Sequence, residues 1–333
     1  MDLPKINKIK NSTTLRREDF DAGPINLDNI EVGLWLGNLT AASDLETLEK
    51  YKINYILTVD SCPLPQNITT LPGIRNLFIQ VTDIPQEDLL CNFNNTFEFI
   101  KTGQEYGCVL VHCYFGVSRS VSVVIAYLMK KYQISFDEAL ERVKSRRKLV
   151  GPNKGFEDQL KLYGRMGCKI DTNNIQYKMF RLLVAAEKVK KVKILPRECM
   201  DVVQPDPSLP RVNPNPLVYR CCKCRKIVAS ASNLLPHIPQ EKPSWKDENW
   251  IEKMSEQSPC TLTYFVEPMV WMKSAMQNEQ GKLHCPKCSS KLGSFSWIMG
   301  CQCPCGSKIS PAFYLVPSKV EWSNFVQNLQ ATV

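Results

Sequence analysis

The chain has 333 residues, 44% of them apolar and 23% charged, which is the composition of a soluble globular protein with room for one large domain or two ordinary ones. No run of about 18 apolar residues occurs, so a transmembrane helix is not expected, and the N-terminal MDLPKINKIK has charge without the apolar core of a signal peptide. The formal net charge of +9 fits either an anionic partner or basic residues spread over a solvated surface.

In chain order, residues 1–25 are polar and without period, and read as a loose arm. Residues 26–170 alternate short apolar runs with amphipathic stretches. Strands are expected at 55–59, 77–81 and 109–111, with helices at 41–51, 89–105, 119–131, 135–147 and 154–166. Ser135 followed by Glu138 is a capping box for the fourth of these helices. That alternation predicts an α/β domain with a mostly parallel central sheet flanked by helices. A basic helix is expected within 171–194, ending in Lys188-Val189-Lys190-Lys191-Val192-Lys193. Six prolines then fall between Leu195 and Leu217, predicting an extended linker over 195–217 and a separate domain over 218–333. No internal repeat is visible.

The segment from Cys108 to Ser120 runs from an apolar strand through His112-Cys113-Tyr114-Phe115-Gly116-Val117-Ser118-Arg119 into a helix. A turn at a helix N-terminus converges backbone N–H groups on one point, where the helix dipole adds partial positive charge. That field favours the thiolate of Cys113, the nucleophilic form. Arg119 can return to the same point and fork two donors onto phosphate oxygens, which Lys cannot do. Gly116 opens loop conformations closed to other residues.

This His-Cys-(five residues)-Arg-Ser pattern resembles the signature loop of the protein tyrosine and dual-specificity phosphatases, over roughly residues 26–167 and including Leu34-Trp35-Leu36-Gly37. The resemblance implies that Cys113 forms a phospho-cysteine, that Arg119 binds phosphate, that Ser120 assists release of the thiolate and that His112 orients the loop. Tyr114, Phe115, Gly116, Val117 and Ser118 would line the phosphate site with Arg119. It also places a general acid about thirty residues upstream, where Asp83 stands; Asp88 is the competitor, and reads better as a helix cap. Asn153 would brace the loop, or is simply a turn residue after Pro152. Relatives often carry a small residue where this loop has Tyr114-Phe115, so substrate preference cannot be carried across. A phosphoinositide or an RNA 5′-phosphate is a weaker alternative substrate, because enzymes taking these often have basic residues in the loop.

Six of the fifteen cysteines are scattered singly up to Cys199, and nine are bunched between Cys221 and Cys305. Cys62, Cys91, Cys108 and Cys168 read as core or surface thiols, one of them a candidate to protect Cys113 as a disulfide. The bunched groups are Cys221-Cys222-Lys223-Cys224, Cys285-Pro286-Lys287-Cys288 and Cys301-Gln302-Cys303-Pro304-Cys305-Gly306. Two thiolates on a tight turn bite one tetrahedral zinc, and two bites complete it. The alternative is a reduced cysteine-rich core. Two structural Zn2+ ions are expected, with none needed for catalysis. The preferred closed set is Cys285, Cys288, Cys303 and Cys305; Cys221, Cys224, Cys260 and His237 make a second. Cross-pairing between the sets is open, and Cys222 and Cys301 are spare.

With this tail the chain resembles the dual-specificity phosphatase 12 subfamily, through Tyr219-Arg220-Cys221, Phe265-Val266-Glu267-Pro268-Met269-Val270-Trp271-Met272, the run from Cys285 to Phe295, and Pro311-Ala312-Phe313. The resemblance implies phosphorylated protein substrates, a small zinc-stabilised β-rich C-terminal domain, and a nuclear and cytoplasmic location. It also implies a zinc domain that serves maturation of the large ribosomal subunit in fungal relatives. Ribosomal precursor particles or RNA are therefore expected partners, and a membrane is not. Two hypotheses follow: an enzyme acting through Cys113, or an interaction protein in which the zinc domain carries the role and catalysis is secondary.

Overall fold

The computed structural model describes residues 22–209 and 216–324. The expected arm lies outside the described residues up to position 21, as do Pro210 and Pro214 of the expected linker. The chain divides into two compact units: one of residues 1–83, 95–128 and 137–153, the other of 84–94, 129–136 and 154–333.

The first unit is built on five strands, β1 (Leu27–Glu31), β2 (Leu34–Gly37), β3 (Ile53–Asp60), β4 (Arg75–Gln80) and β5 (Cys108–His112), in the order β1-β2-β5-β3-β4. The β1/β2 pair is antiparallel and the other three pairings are parallel. Strands β3 and β5 are buried along almost their whole length, which is why they read as unbroken apolar runs. The β1–β2 hairpin was not foreseen, since Gly33 at φ +74° turns the chain after only a few residues of weak alternation.

The helix expected at 41–51 is two, α1 (Leu39–Ser43) and α2 (Leu45–Lys50), because the Asp44 carboxylate accepts from the Thr47 N–H and caps a new start. Then come α3 (Gln66–Thr69), α4 (Phe93–Tyr106), α5 (Arg119–Tyr132) and α6 (Phe136–Lys144). Strand β5 lies between β2 and β3 with the segment from Cys113 to Ser118 at its carboxyl end, the position where open parallel sheets bind ligands.

The second unit holds α7 (Lys154–Arg165) and α8 (Ile175–Val192), followed by β6 (Leu217–Cys221), β7 (Ile227–Ser230), α9 (Trp250–Glu256), β8 (Tyr264–Phe265), α10 (Lys273–Gln277), β9 (Gln280–His284), β10 (Lys291–Ser296), β11 (Cys301–Gln302), β12 (Lys308–Ile309), β13 (Ala312–Leu315) and β14 (Val320–Asn324). They pair as β8-β13-β10-β9, β14-β6-β7 and β11-β12, so this region is β-rich. Its core joins Leu182, Ala185, Ala186 and Val189 of α8 to Phe295, Trp297, Phe313 and Leu315. Each large apolar side chain so buried contributes about 1.5–3 kcal/mol.

The expected extended linker differs at its start. Leu195, Cys199 and Val202 lie in the same core, the last two carried by a 3-10 turn over Arg197–Val202. Prolines restrict the backbone without forbidding burial, and the apolar residues following Pro196 are dense enough to pack. Among the described residues no helix is long and apolar enough to cross a membrane.

Candidate active site and metal centres

Cys113 follows β5 directly, and its thiol is buried. The loop after it is held through its carbonyls, three of them from outside and the last by the first turn of α5. Tyr114 O accepts from Leu39 N (3.0 Å), Gly116 O from Arg147 Nε (3.0 Å), Val117 O from Gly151 N (2.9 Å) and Ser118 O from Ser122 N (2.9 Å). In a planar trans peptide the N–H of the next residue points opposite to the carbonyl. The three carbonyls engaged from outside therefore turn the N–H groups of Phe115, Val117 and Ser118 the other way, into the loop, and the Ser118 carbonyl, engaged along α5, leaves the Arg119 N–H at the open N-terminus of that helix. The result is a nest for an anion, reinforced by the N-terminus of the 14-residue α5.

Gly116 makes this path possible. Its φ is +69°, and a Cβ there would lie 2.4 Å from Gly37 O. Ser120 Oγ donates to Cys113 Sγ at 3.2 Å. His112 is fully buried with Nε2 2.8 Å from Thr58 Oγ1, so it ties the loop's first residue to β3.

Arg119 is buried as well. Its Nη1 donates to Asp60 Oδ1 at 2.6 Å and to Val81 O at 3.3 Å. Its Nε is buried and, among the described residues, makes no hydrogen bond, with Asp83 Oδ2 3.8 Å away. A buried guanidinium N–H without an acceptor is costly, and a phosphate oxygen in the loop would supply one.

Asp83 stands beside this group. Its Oδ1 accepts from Ser118 Oγ and from Asn153 Nδ2, both at 2.7 Å. The Asn153 N–H also donates to Ser118 Oγ at 3.0 Å, so Asn153 reaches both the loop and the Asp83 carboxylate. Phe115 is half exposed and stands edge-on to Tyr114, with ring centroids 4.8 Å apart.

Two residues of this site escaped the sequence. Asp60 ends β3, where a carboxylate closing an apolar strand was its only signal. Arg147 lies in the run Ser145-Arg146-Arg147-Lys148, which reads as a solvated face. The helix α6 stops at Lys144 instead of 147, and Arg147 turns inward to bind Gly116 O, Asn26 Oδ1 and Asp28 Oδ2.

The eight expected metal ligands do assemble into two groups of four, but not into the preferred sets. One group is Cys221, Cys224, Cys285 and Cys288; the other is His237, Cys260, Cys303 and Cys305. Within each, the ligand atoms lie within 4.8 Å of one another. Cys221 Sγ is 3.7 Å from Cys288 Sγ, Cys224 Sγ is 3.5 Å from Cys285 Sγ, and Cys260 Sγ is 3.8 Å from Cys303 Sγ. His237 Nε2 is 3.3 Å from Cys305 Sγ. Thiolates about 2.3 Å from a tetrahedral centre sit about 3.8 Å apart, so both groups fit a metal of zinc's size and preferences.

The preferred set fails because neighbouring bites in sequence are carried to different places. Cys285 and Cys288 flank the turn from β9 to β10, whereas Cys303 and Cys305 lie on the turn from β11 to β12. The turns are alike: Cys285 N donates to Ser290 O, and Cys303 N to Ser307 O. The left-handed residue after the second cysteine is Arg225, Ser289 or Gly306. The hydroxyl and N–H of Ser290 pull the Cys288 thiol down to about 6, toward the thiolate a metal requires. Cys222 and Cys301 belong to neither group.

Residues 34–166 match the family model for the catalytic domain of dual specificity phosphatases. Over 98% of its length the chain is 46% identical to the dual specificity protein phosphatase MPK-4 of Drosophila melanogaster, covering 95% of that protein. It is 37% identical to dual specificity protein phosphatase 12 of Rattus norvegicus, over 88% of this chain and 87% of the relative. Identity to the tyrosine-protein phosphatase yvh1 of Schizosaccharomyces pombe is 31%, over 89% and 84%.

Proposed function

Because the chain belongs to the dual-specificity protein phosphatase family, in the branch related to dual specificity phosphatase 12, we propose that its phosphotyrosine and phosphoserine/phosphothreonine hydrolysis runs through the loop at Cys113. The observation that carries this reading is the buried Cys113 thiol at the foot of a loop whose carbonyls are engaged from outside.

A bound phosphomonoester places its oxygens among the loop N–H groups and against Arg119. The Cys113 thiolate attacks phosphorus, the bond to the leaving oxygen breaks, and Asp83 gives that oxygen its proton. Ser118 and Asn153 hold Oδ1 of Asp83, which leaves Oδ2 for the proton. Water then attacks the phospho-cysteine, Asp83 takes up the proton, and phosphate leaves. Ser120, donating to the sulfur, stabilises the departing thiolate. Asp60 holds Arg119 from behind, and Arg147 fixes the loop through Gly116.

In this reading both Cys/His groups hold structural zinc, which fixes the turns and does no chemistry on the substrate. A second reading gives the C-terminal region a partner, with ribosomal precursor particles or RNA the class that the resemblance suggests, and a nuclear and cytoplasmic location. Trp322 on β14 and Met299, large apolar side chains about two-thirds exposed, are the contacts such a partner would first be tested against.

Aryl-phosphate hydrolysis and mass spectrometry of the acid-quenched enzyme test the first reading. A phosphate adduct on Cys113, absent together with all turnover in Cys113→Ser, is expected; turnover that survives Cys113→Ser sinks it. In cells lacking the protein, rescue by the full-length Cys113→Ser chain would support the second reading, and failure to rescue would remove it.

A further inference from the structure

Asp83 is the last residue of its segment in the first unit, and Ile84 already belongs to the second. The stretch that follows is held there at three points. Gly155 of α7 lies so close to it that a Cβ at that position would be 2.0 Å from Pro85 O. Gln159, one turn further along α7, donates from Nε2 to Glu87 O (2.8 Å) and accepts at Oε1 from the Leu89 and Leu90 N–H groups (both 2.9 Å). The third point lies outside the residues that match the phosphatase domain: Arg181 of α8 donates from Nη1 to Asp88 Oδ2. Nε and Nη2 of the same guanidinium hold Asp201 Oδ2 at 3.1 and 2.6 Å.

Surface ion pairs of this kind are worth little, but this one is not on the surface. The side chains of Arg181 and Asp88 are 12% and 9% exposed. Asp88 is spoken for on its other oxygen as well, where Oδ1 accepts from the Cys91 N–H at 3.1 Å. Losing Arg181 would leave Asp88 a poorly solvated charge without its partner, and the segment would move to solvate it. Five positions separate Asp88 from Asp83, so the freedom of one end is passed to the other. A proton donor displaced by about 1 Å loses much of its advantage.

We infer that Arg181 is a positioning residue for the phosphatase reaction, setting the general acid Asp83 through its hold on Asp88. The inference rests on the reading of Asp83 as the acid. It makes the helix beyond the catalytic domain part of the machinery of protonation, while phosphate binding and attack by Cys113 stay with the first unit.

The test uses the full-length chain and two substrates. One is an aryl phosphate whose phenol is acidic enough to leave unprotonated. The other is a phosphoserine peptide, whose alkoxide needs the proton. In kcat/KM, which reports the steps up to formation of the phospho-cysteine, Arg181→Ala is expected to slow the peptide by about tenfold or more and the aryl phosphate by less than about twofold, part of the roughly 100-fold or larger effect of general acid catalysis. In an Asp83→Asn background, Arg181→Ala is expected to add nothing.

Equal slowing of both substrates would mark a structural staple and overturn the inference. So would no slowing, or a further loss in the Asp83→Asn background. If circular dichroism shows that Arg181→Ala does not fold, Asp88→Asn carries the same test, because it keeps the size and the acceptor for Cys91. Should Asp83→Asn alone slow both substrates equally, the general-acid reading itself falls, and the inference falls with it.

Discussion

Arg119 and Asp60 are joined by a buried hydrogen bond of 2.6 Å between Nη1 and Oδ1. The bond fixes one edge of the guanidinium and leaves Nε to face Asp83. Asp60→Asn keeps an acceptor in place but removes the charge. It should cost about 2 kcal/mol of transition-state stabilisation, or roughly 30-fold in kcat/KM, with little change in melting temperature if the amide is accommodated. Steady-state kinetics beside a thermal melt would check this; full activity in Asp60→Asn would mean that Arg119 needs no such support.

Ser120 donates to Cys113 from 3.2 Å, within one turn of α5. Ser120→Ala should leave formation of the phospho-cysteine nearly intact and slow its breakdown by about tenfold, the scale of one lost hydrogen bond to a charged group. A pre-steady-state burst of phenol followed by slow turnover is the expected trace. A uniform loss of the burst and the steady rate would place Ser120 in loop folding instead.

Gly116 combines φ of +69° with a space already filled by Gly37 O and Arg147. Gly116→Ala should destabilise the first unit by about 1–3 kcal/mol. Activity should fall much further than stability, because the displaced carbonyl no longer directs its peptide N–H into the nest. Denaturant midpoints and kcat, measured on the same preparation, separate the two effects.

Metal counts decide the ligand pairing. With two ions in the unaltered chain, Cys221→Ser/Cys285→Ser should lose one, since both residues serve the same group. Cys221→Ser/Cys303→Ser should lose both. Loss of both ions in each of the two double variants would restore the set Cys285, Cys288, Cys303 and Cys305.

The parts of this protein that could be read in its sequence are those whose meaning is local. Cys113 and Arg119 frame one turn between one strand and one helix, so spacing alone carries their geometry. The same holds for β3 and β5, whose burial on both faces leaves a plain apolar run. Asp60 is different: it acts on Arg119 across 59 positions, and nothing near it in the chain announces a partner. Arg147 looks like its basic neighbours until α6 ends three residues early and the backbone carries it under Gly116. The eight ligands were legible because the short thiol spacings are strong signals, whereas their division was not, because similar bites are interchangeable until the sheets place them.

The order of those ligands along the chain, two for one centre, two for the other, then two and two again, has a bearing on synthesis. The protein is made from its N-terminus, so the first centre cannot close until Cys288 has emerged, nor the second until Cys305. Between the synthesis of Cys221 and that of Cys288 the early thiols stand open to oxidation and to exchange of partners. Fragments ending between Cys260 and Cys285 would carry half of each centre and the whole of neither, so the C-terminal region matures late and as one piece.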